Sequence, residues 1–343
     1  VGKWEAKMYE RIQEAVRLLN QEYLCQFRVG EETRTRDLQE ICQFLEERCK
    51  ADGTVFVHGR GKRKSRNQRY QELFRRFLER QTIYNWHTAS FQGRNNYCKT
   101  DPDATFMHMK DDHMRNAQLK PGYNVQIAVD SEYIVATDIF QDRNDVWTLV
   151  PFLKDMEKKL GFRYPSVTAD SGYESEEAYE YLSEARQKAY IKPQTYEKWK
   201  KRSFKKDISK RENMRYDEAA DTYTCYGEKK LRAVSVKKQK SKSGYQSEVT
   251  IYECEDCSGC PYKERCTKAK GNKRLYLSKN FLKRRQESYK NIRSERGIQY
   301  RLNRSIQVEG AFGVLKNNYE FQRFLLRGKT KVKLEILLLC LGY

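Results

Sequence analysis

The sequence has no long apolar run. No stretch reaches the roughly 18 residues that a membrane-spanning helix needs, and the most apolar end, Leu334 to Leu341, is short and follows a basic segment. Apolar and acidic residues are both scarce. Only 38% of the 343 residues are hydrophobic, 34% are charged, and Lys plus Arg outnumber Asp plus Glu by 68 to 47, for a net charge of +21. That balance suits a polyanion partner, nucleic acid before an anionic membrane surface. Histidine is rare too. His58, His87, His108 and His113 show no ligand spacing and read as surface or core residues, with His108 and His113 the two expected near DNA. No secretory leader opens the sequence, so its ten cysteines are expected in a reducing cytoplasm, where clustered thiols bind metal rather than pair as disulfides. Residue 1 is Val and the chain stops at Tyr343, each inside a helical pattern; a fragment of a longer protein is expected.

What is present falls into segments. Residues 2 to 27 carry Trp4, Met8, Ile12, Val16, Leu19 and Tyr23 at helical spacing. A second helix is expected from a Thr35 cap, with Leu38, Ile41 and Leu45 inward, and a third over 67 to 86. Gly59 to Arg69 between them is basic. These elements make a helical, basic subdomain over 1–95. From 96 to 194 the pattern changes to strand (122–130), strand (133–140), helix, strand (165–170), helix from Ser175, and strand (189–192), with Asn144 or Asp145 as a cap. That order predicts an α/β core with Asp170 at the carboxyl end of a strand, where sites gather in such sheets. Residues 195–280 read as a basic, cysteine-rich insertion with short strands. Residues 281–343 read as helices, with a break near Gly297.

In the segment Arg304 to Lys316, Val308, Phe312, Leu315 and Tyr319 form one apolar stripe, and Glu309 and Lys316 lie two turns apart on a neighbouring face. Gly310 and Gly313 flank Glu309; each costs helix stability, roughly 1 kcal/mol relative to Ala, so a close neighbour is expected there. Carboxylates are the right donors for Mg²⁺, and two metal ions held by about three carboxylates can activate a hydroxyl and stabilise the leaving oxygen of a phosphodiester. Asp170 and Glu309 supply two of the three.

Val-Thr-Ala-Asp-Ser-Gly-Tyr (167 to 173) followed by a helix resembles the second-aspartate motif of bacterial insertion-sequence DDE transposases. Glu309 with Lys316 resembles their glutamate motif. The arginine often found four residues before that glutamate is displaced here: Ser305 holds the position and Arg304 precedes it. Asp-Pro-Asp-Ala-Thr-Phe-Met (101 to 107), Lys-Pro-Gly-Tyr-Asn-Val-Gln-Ile-Ala (120 to 128) and the cysteine-rich insertion add to the likeness, which runs from about residue 95 to 343. The resemblance implies a ribonuclease-H-like mixed sheet with helices on both faces. It also implies metal-dependent (Mg²⁺ or Mn²⁺) cleavage and joining of duplex DNA at element ends and at a target, by a homo-oligomer on DNA in the bacterial cytoplasm. The first catalytic aspartate of such an enzyme closes the first strand. It is expected just upstream of Val1, so that the sheet formed by this chain lacks a central strand. Asp103, in Asp-Ala-Thr, and Asp130 are the alternatives.

Arg304 and Lys316, with the loop cations Arg60, Lys62, Arg63 and Lys64, are the expected DNA contacts, and some of the 24 tyrosines could stack on bases. Cys254, Cys257, Cys260 and Cys266 form a Cys-x2-Cys-x2-Cys-x5-Cys cluster suited to Zn²⁺ or an iron–sulfur cluster, with Cys225 as a spare ligand. Cys25, Cys42, Cys49 and Cys340 read as core. The rival to an active transposase is a truncated remnant that only binds DNA.

Overall fold

The computed structural model describes residues 2–109 and 116–343; Val1 and the segment 110–115, with His113, lie outside the described residues. The chain divides into two compact units, Val1–Phe106 and Met107–Tyr343. The first is three helices: α1 (Gly2–Tyr23), α2 (Arg34–Ala51) and α3 (Arg66–Phe91). Met8, Ile12, Val16 and Leu19 of α1, Leu38, Ile41 and Leu45 of α2, and Phe74 and Phe77 of α3 make its core, with Cys25 and Cys42 packed against it. Trp4 shares the α1 stripe but stays 70% exposed, because the stripe runs past the end of the core. Helix α2 starts after Thr33, so Thr35 lies inside it. Asp37 closes the entry, accepting from Thr33 Oγ1 (2.6 Å) and the Gly30 amide (2.9 Å). Ser65 caps α3 by accepting from Gln68 N (3.2 Å), and the buried Gln68 side chain satisfies both polar backbone groups of Val57.

The second unit follows the strand and helix order read from the sequence, with an added short pair before it. Strand β1 (Thr105–His108) straddles the division and pairs with β2 (Leu119–Gly122). Next come β3 (Asn124–Asp130) and β4 (Tyr133–Phe140), a hairpin turned by Ser131 and Glu132 at positive φ. Helix α4 (Leu149–Leu160), β5 (Ser166–Ala169), α5 (Glu176–Glu184) and β6 (Lys188–Ile191) complete the core, with β5 and β6 parallel. The following segment holds α6 (Tyr196–Lys200), α7 (Arg202–Lys205), β7 (Arg215–Asp217), β8 (Thr222–Thr224), β9 (Lys230–Lys240), β10 (Gln246–Cys254), α8 (Lys263–Cys266) and β11 (Arg274–Leu277). Its five strands form one antiparallel sheet in the order β11-β10-β9-β8-β7. Then α9 (Lys279–Arg293), α10 (Glu295–Gly313), a π turn (Val314–Asn318) and α11 (Lys329–Leu341) close the chain.

Helices cover both faces of the hairpin. Ala128, Val135 and Ala136 join Val167, Ala169 and Ile191 under α4 and α5, whereas Val125, Ile127, Ile134 and Ile139 pack on Leu315 and on Val332 and Ile336 of α11, with Cys340 at the edge. The single mixed sheet expected from the sequence is instead two two-stranded sheets among the described residues, β3-β4 and β5-β6. One apolar cluster underlies both, and α10 crosses over β3, β5 and β6. The helical break falls at Ser294, three residues before the expected glycine. Ser294 caps α10 through the Gly297 amide (3.1 Å), and a Cβ at Gly297 would lie 1.9 Å from the Asn291 carbonyl oxygen. Glycine is required by that close approach.

The five-stranded sheet is tied to the core at the tip of the β9–β10 hairpin: Lys242 pairs with Asp142 (2.6 Å), and Ser243 donates to Glu177. At its exit, Asn280 donates to Glu180 (2.8 Å). Beneath, the Ser288 hydroxyl links α9 to both backbone groups of Ile191 (3.0 Å each). Glu174 fixes the chain just after the Asp170 motif. Its carboxylate accepts from the Gln194 amide (2.8 Å) and the Tyr179 hydroxyl (3.0 Å) and pairs with Arg285 at 2.9 Å, whose guanidinium stacks over Trp199 and Phe281. Burial raises the Glu174 carboxyl above its ordinary value, and the Gln194 amide and Arg285 oppose that rise. Replacing Glu174 by Ala should therefore destabilise the unit by about 3–5 kcal/mol, because it removes the counter-charge of the largely buried Arg285 and leaves its guanidinium only the Thr195 hydroxyl as acceptor (2.6 Å). Urea unfolding of the variant measures this, and a loss below about 1 kcal/mol would show the pair to be dispensable.

Candidate active site

Strand β5 ends at Ala169, and Asp170 follows in extended backbone with its side chain exposed. Its Oδ1 accepts from the Ser171 amide (2.7 Å), which starts a 3₁₀ turn over Ser171–Tyr173. That turn is clasped from behind. A Cβ on Gly172 would lie 3.0 Å from Asp145 Oδ2, so the turn and the carboxylate sit nearly in contact. Asp145 Oδ1 in turn accepts from Asn124 Nδ2 (2.7 Å) and Gln126 Nε2 (3.2 Å) on β3. The Tyr173 hydroxyl donates to Gln126 Oε1. Burial drives the Tyr173 phenol far above its ordinary value; the charges of Asp145 and Asp170 push the same way, and Arg304 opposes them.

Asp145 was legible only as a helix cap, and the cap itself is Asn144, which accepts from Val146 N (3.2 Å). The signal for its larger part was present: Asn124 and Gln126 put two amides on one face of a strand whose next inward residue is Ala128. Gln126 is 3% exposed, so its amide needs internal partners.

Glu309 stands on α10, the helix that crosses β3 and β5, and its side chain is 70% exposed. Arg304 Nη1 lies 3.9 Å from Glu309 Oε1 and also acts on the Tyr173 phenol. The close neighbour expected at Gly310 and Gly313 is absent among the described residues: a Cβ at either would meet nothing within 4 Å. The two glycines leave a bare helix surface next to Glu309. The regular two-turn spacing to Lys316 is also altered. The helix widens into the π turn, with Tyr319 N bonded to Val314 O (3.0 Å), so Lys316 is displaced from the position an unbroken helix would give it. Such turns recur at functional sites. Leu315, 1% exposed, anchors this turn in the core.

The other candidates lie elsewhere. Asp103 sits in the turn before β1, where its carbonyl accepts from Arg94 Nη1 (2.7 Å) and its amide donates to Asp101 (3.3 Å). Asp130 ends β3 at the hairpin turn, facing Tyr164, about 20 Å along the strand from Asn124. Arg60, Lys62 and Arg63 are exposed in the loop before α3, and Lys64 pairs with Glu72 (2.6 Å). His58 and His108 are exposed, and His87 packs on Tyr97. Among the described residues no three His, Cys, Asp or Glu side chains are gathered closely enough to hold a metal ion, and no helix is long and apolar enough to cross a membrane. Cys254, Cys257, Cys260 and Cys266 do surround one small cavity, and Cys225 joins them.

No curated protein and no solved structure matches the chain. Residues 224–343, from the insertion sheet through Glu309 to α11, match the family model described as a transposase DDE domain.

Proposed function

We propose that this chain carries two of the three catalytic carboxylates of a DDE-type DNA transposase, Asp170 and Glu309. The observation that supports this reading most is the link between them. Asp170 follows the carboxyl end of β5, and Glu309 rides the helix that crosses β5, with Arg304 Nη1 3.9 Å from its carboxylate. The family match over residues 224–343 includes Glu309 but not Asp170, so the pairing rests on the core rather than on the match. Both carboxylates are exposed, and their hard oxygens suit Mg²⁺ or Mn²⁺. Bound there, the metal would activate the attacking hydroxyl and stabilise the leaving oxygen of a phosphodiester.

The third carboxylate enters on a strand between β3 and β5. Those two edges carry no ladder to each other, yet they share one apolar cluster below and α10 above. A strand parallel to β5 in that slot would end beside Asp170. Its aspartate then lies in sequence preceding residue 1; Asp103 is the alternative, from the turn before β1. The protein's own groups do the rest. Asp145, Gln126 and Tyr173 hold the turn that orients Asp170. Arg304 offsets the repulsion between carboxylates and DNA, and Lys316 holds phosphate as a point charge. The bare surface at Gly310 and Gly313 lets a duplex approach Glu309 closely. The cations of the α3 loop extend the DNA contact, and the active form is a homo-oligomer that holds two ends.

With the third strand supplied, Asp170→Ala and Glu309→Ala should each lower Mg²⁺-dependent DNA end cleavage and strand transfer at least ~10³-fold, about 4 kcal/mol of transition-state stabilisation, while DNA affinity holds or rises. Residues 1–343 alone should bind DNA without cutting it. Cleavage that survives both substitutions would remove the site assignment, and efficient cleavage by residues 1–343 alone would remove the slot. Replacing Arg60, Lys62 and Arg63 by Ala should reduce the slope of log K against log salt by about 0.9 for each phosphate that the loop neutralises. An unchanged slope in a fluorescence-anisotropy titration would take that loop out of the interface and leave the active site untouched.

A further inference from the structure

The insertion is thinly packed for its size. Its buried apolar side chains are few, chiefly Met214, Tyr223, Leu231, Tyr252 and Leu275, and most of β9 is exposed. A sheet with so small a core needs another source of cohesion. At its end five thiols surround a cavity of about 20 Å³, room for one ion or one water. Three short structures aim them. Cys225 opens a tight turn, its amide bonded to Lys229 O (2.9 Å) and its carbonyl to Glu228 N (3.0 Å). Cys257 and Cys260 bracket a second turn, with Gly259 at φ +62°. Cys266 ends α8, with its amide on Tyr262 O (2.9 Å).

The two turns face one another: a Cβ on Gly227 would lie 3.6 Å from Cys260 Sγ and 3.8 Å from Cys225 Sγ, so both thiols border the same glycine. The Lys273 amide donates to Cys257 Sγ (3.4 Å), the kind of bond that stabilises a thiolate ligand. Two cations lie close by, Lys229 on Asp256 (2.9 Å) and Lys273 on the carbonyl of Cys266 (3.0 Å), which suits a site that becomes anionic when four thiolates bind one divalent ion.

From this arrangement we propose that Cys225, Cys257, Cys260 and Cys266 bind one structural Zn²⁺ that staples the turn of residues 225–228 to the loop of residues 257–266. Cys254 is the thiol left over. It belongs to β10, is 3% exposed within the sheet core, and its Sγ is directed at the Asp256 carbonyl (3.8 Å). The Cys225 turn replaces it as the fourth ligand. The sulfurs do not stand ready as a metal group. Zn–S bonds of ≈ 2.3 Å require them about 3.8 Å apart, so zinc binding would draw the thiols together, and Cys260 and Cys266 are the partly buried ones with Cys225. Zinc binding consumes no redox equivalent: four S–H protons leave as four Zn–S bonds form. The site is independent of the DNA reaction and holds whether or not Asp170 and Glu309 are catalytic.

The test is zinc content by mass spectrometry of the full chain, purified under reducing conditions without chelator, with thiol counting before and after a chelator. The expected result is one zinc per chain, four thiols that become reactive only after chelation, and a Cys254→Ser variant that keeps its zinc while Cys225→Ser loses affinity at least tenfold. Should Cys225→Ser fail to fold, Co²⁺ substitution of the unaltered chain decides, because a four-sulfur tetrahedral site gives intense visible bands and a sulfur-to-cobalt charge-transfer band. Iron in place of zinc, freely reactive thiols with no metal, a mass showing disulfides, or zinc lost on Cys254→Ser would each overturn the proposal.

Discussion

The Asp145 carboxylate is the constraint on which the candidate site depends. One oxygen gathers two amides from β3, and the other touches the turn that carries Asp170. Three pieces of chain meet there: the start of the hairpin, the loop before α4 and the end of β5. Each is satisfied only if the others stay in place, since a buried amide left without a partner costs ≈ 1–3 kcal/mol. The clasp therefore fixes the direction of Asp170 without using Asp170 itself. That residue keeps one oxygen on its own turn and remains open to solvent.

Charge separates the two tasks of the chain. A net +21 favours any polyanion, yet a carboxylate site must accept a phosphodiester at close range. Arg304 is the cation beside Glu309, 3.9 Å from its carboxylate. The five-stranded sheet stands apart from this conflict. Its hairpin tip is held on the core by Lys242 and Ser243, so its basic strand β9 remains exposed.

What could be read from the sequence was local. Alternation named β3 and β4, a short apolar run before Ser-Gly put Asp170 at a strand end, and Ser175 marked α5; each depends on residues a few positions apart. The rest depended on distant contacts. Asp145 meets Asn124 and Gln126 from β3 and Gly172 from another loop, and no spacing rule encodes that meeting. The helix break moved from Gly297 to Ser294 because the glycine serves a close approach to Asn291, not the break. Gly310 and Gly313 suggested a packed neighbour, but they adjoin open surface. Composition alone could not distinguish a glycine that admits an internal neighbour from one that leaves a surface bare.

The central claim is that Asp170 and Glu309, far apart in sequence, belong to one metal-binding carboxylate site. The most direct test replaces magnesium with iron(II) and adds peroxide, with the thiol cluster saturated by zinc, so that hydroxyl radicals cut the backbone beside the bound ion. The account predicts two cuts, one next to residue 170 and one next to residue 309, both lost in Asp170→Ala and both lost in Glu309→Ala. A cut at either position that persists when the other carboxylate is removed would contradict it.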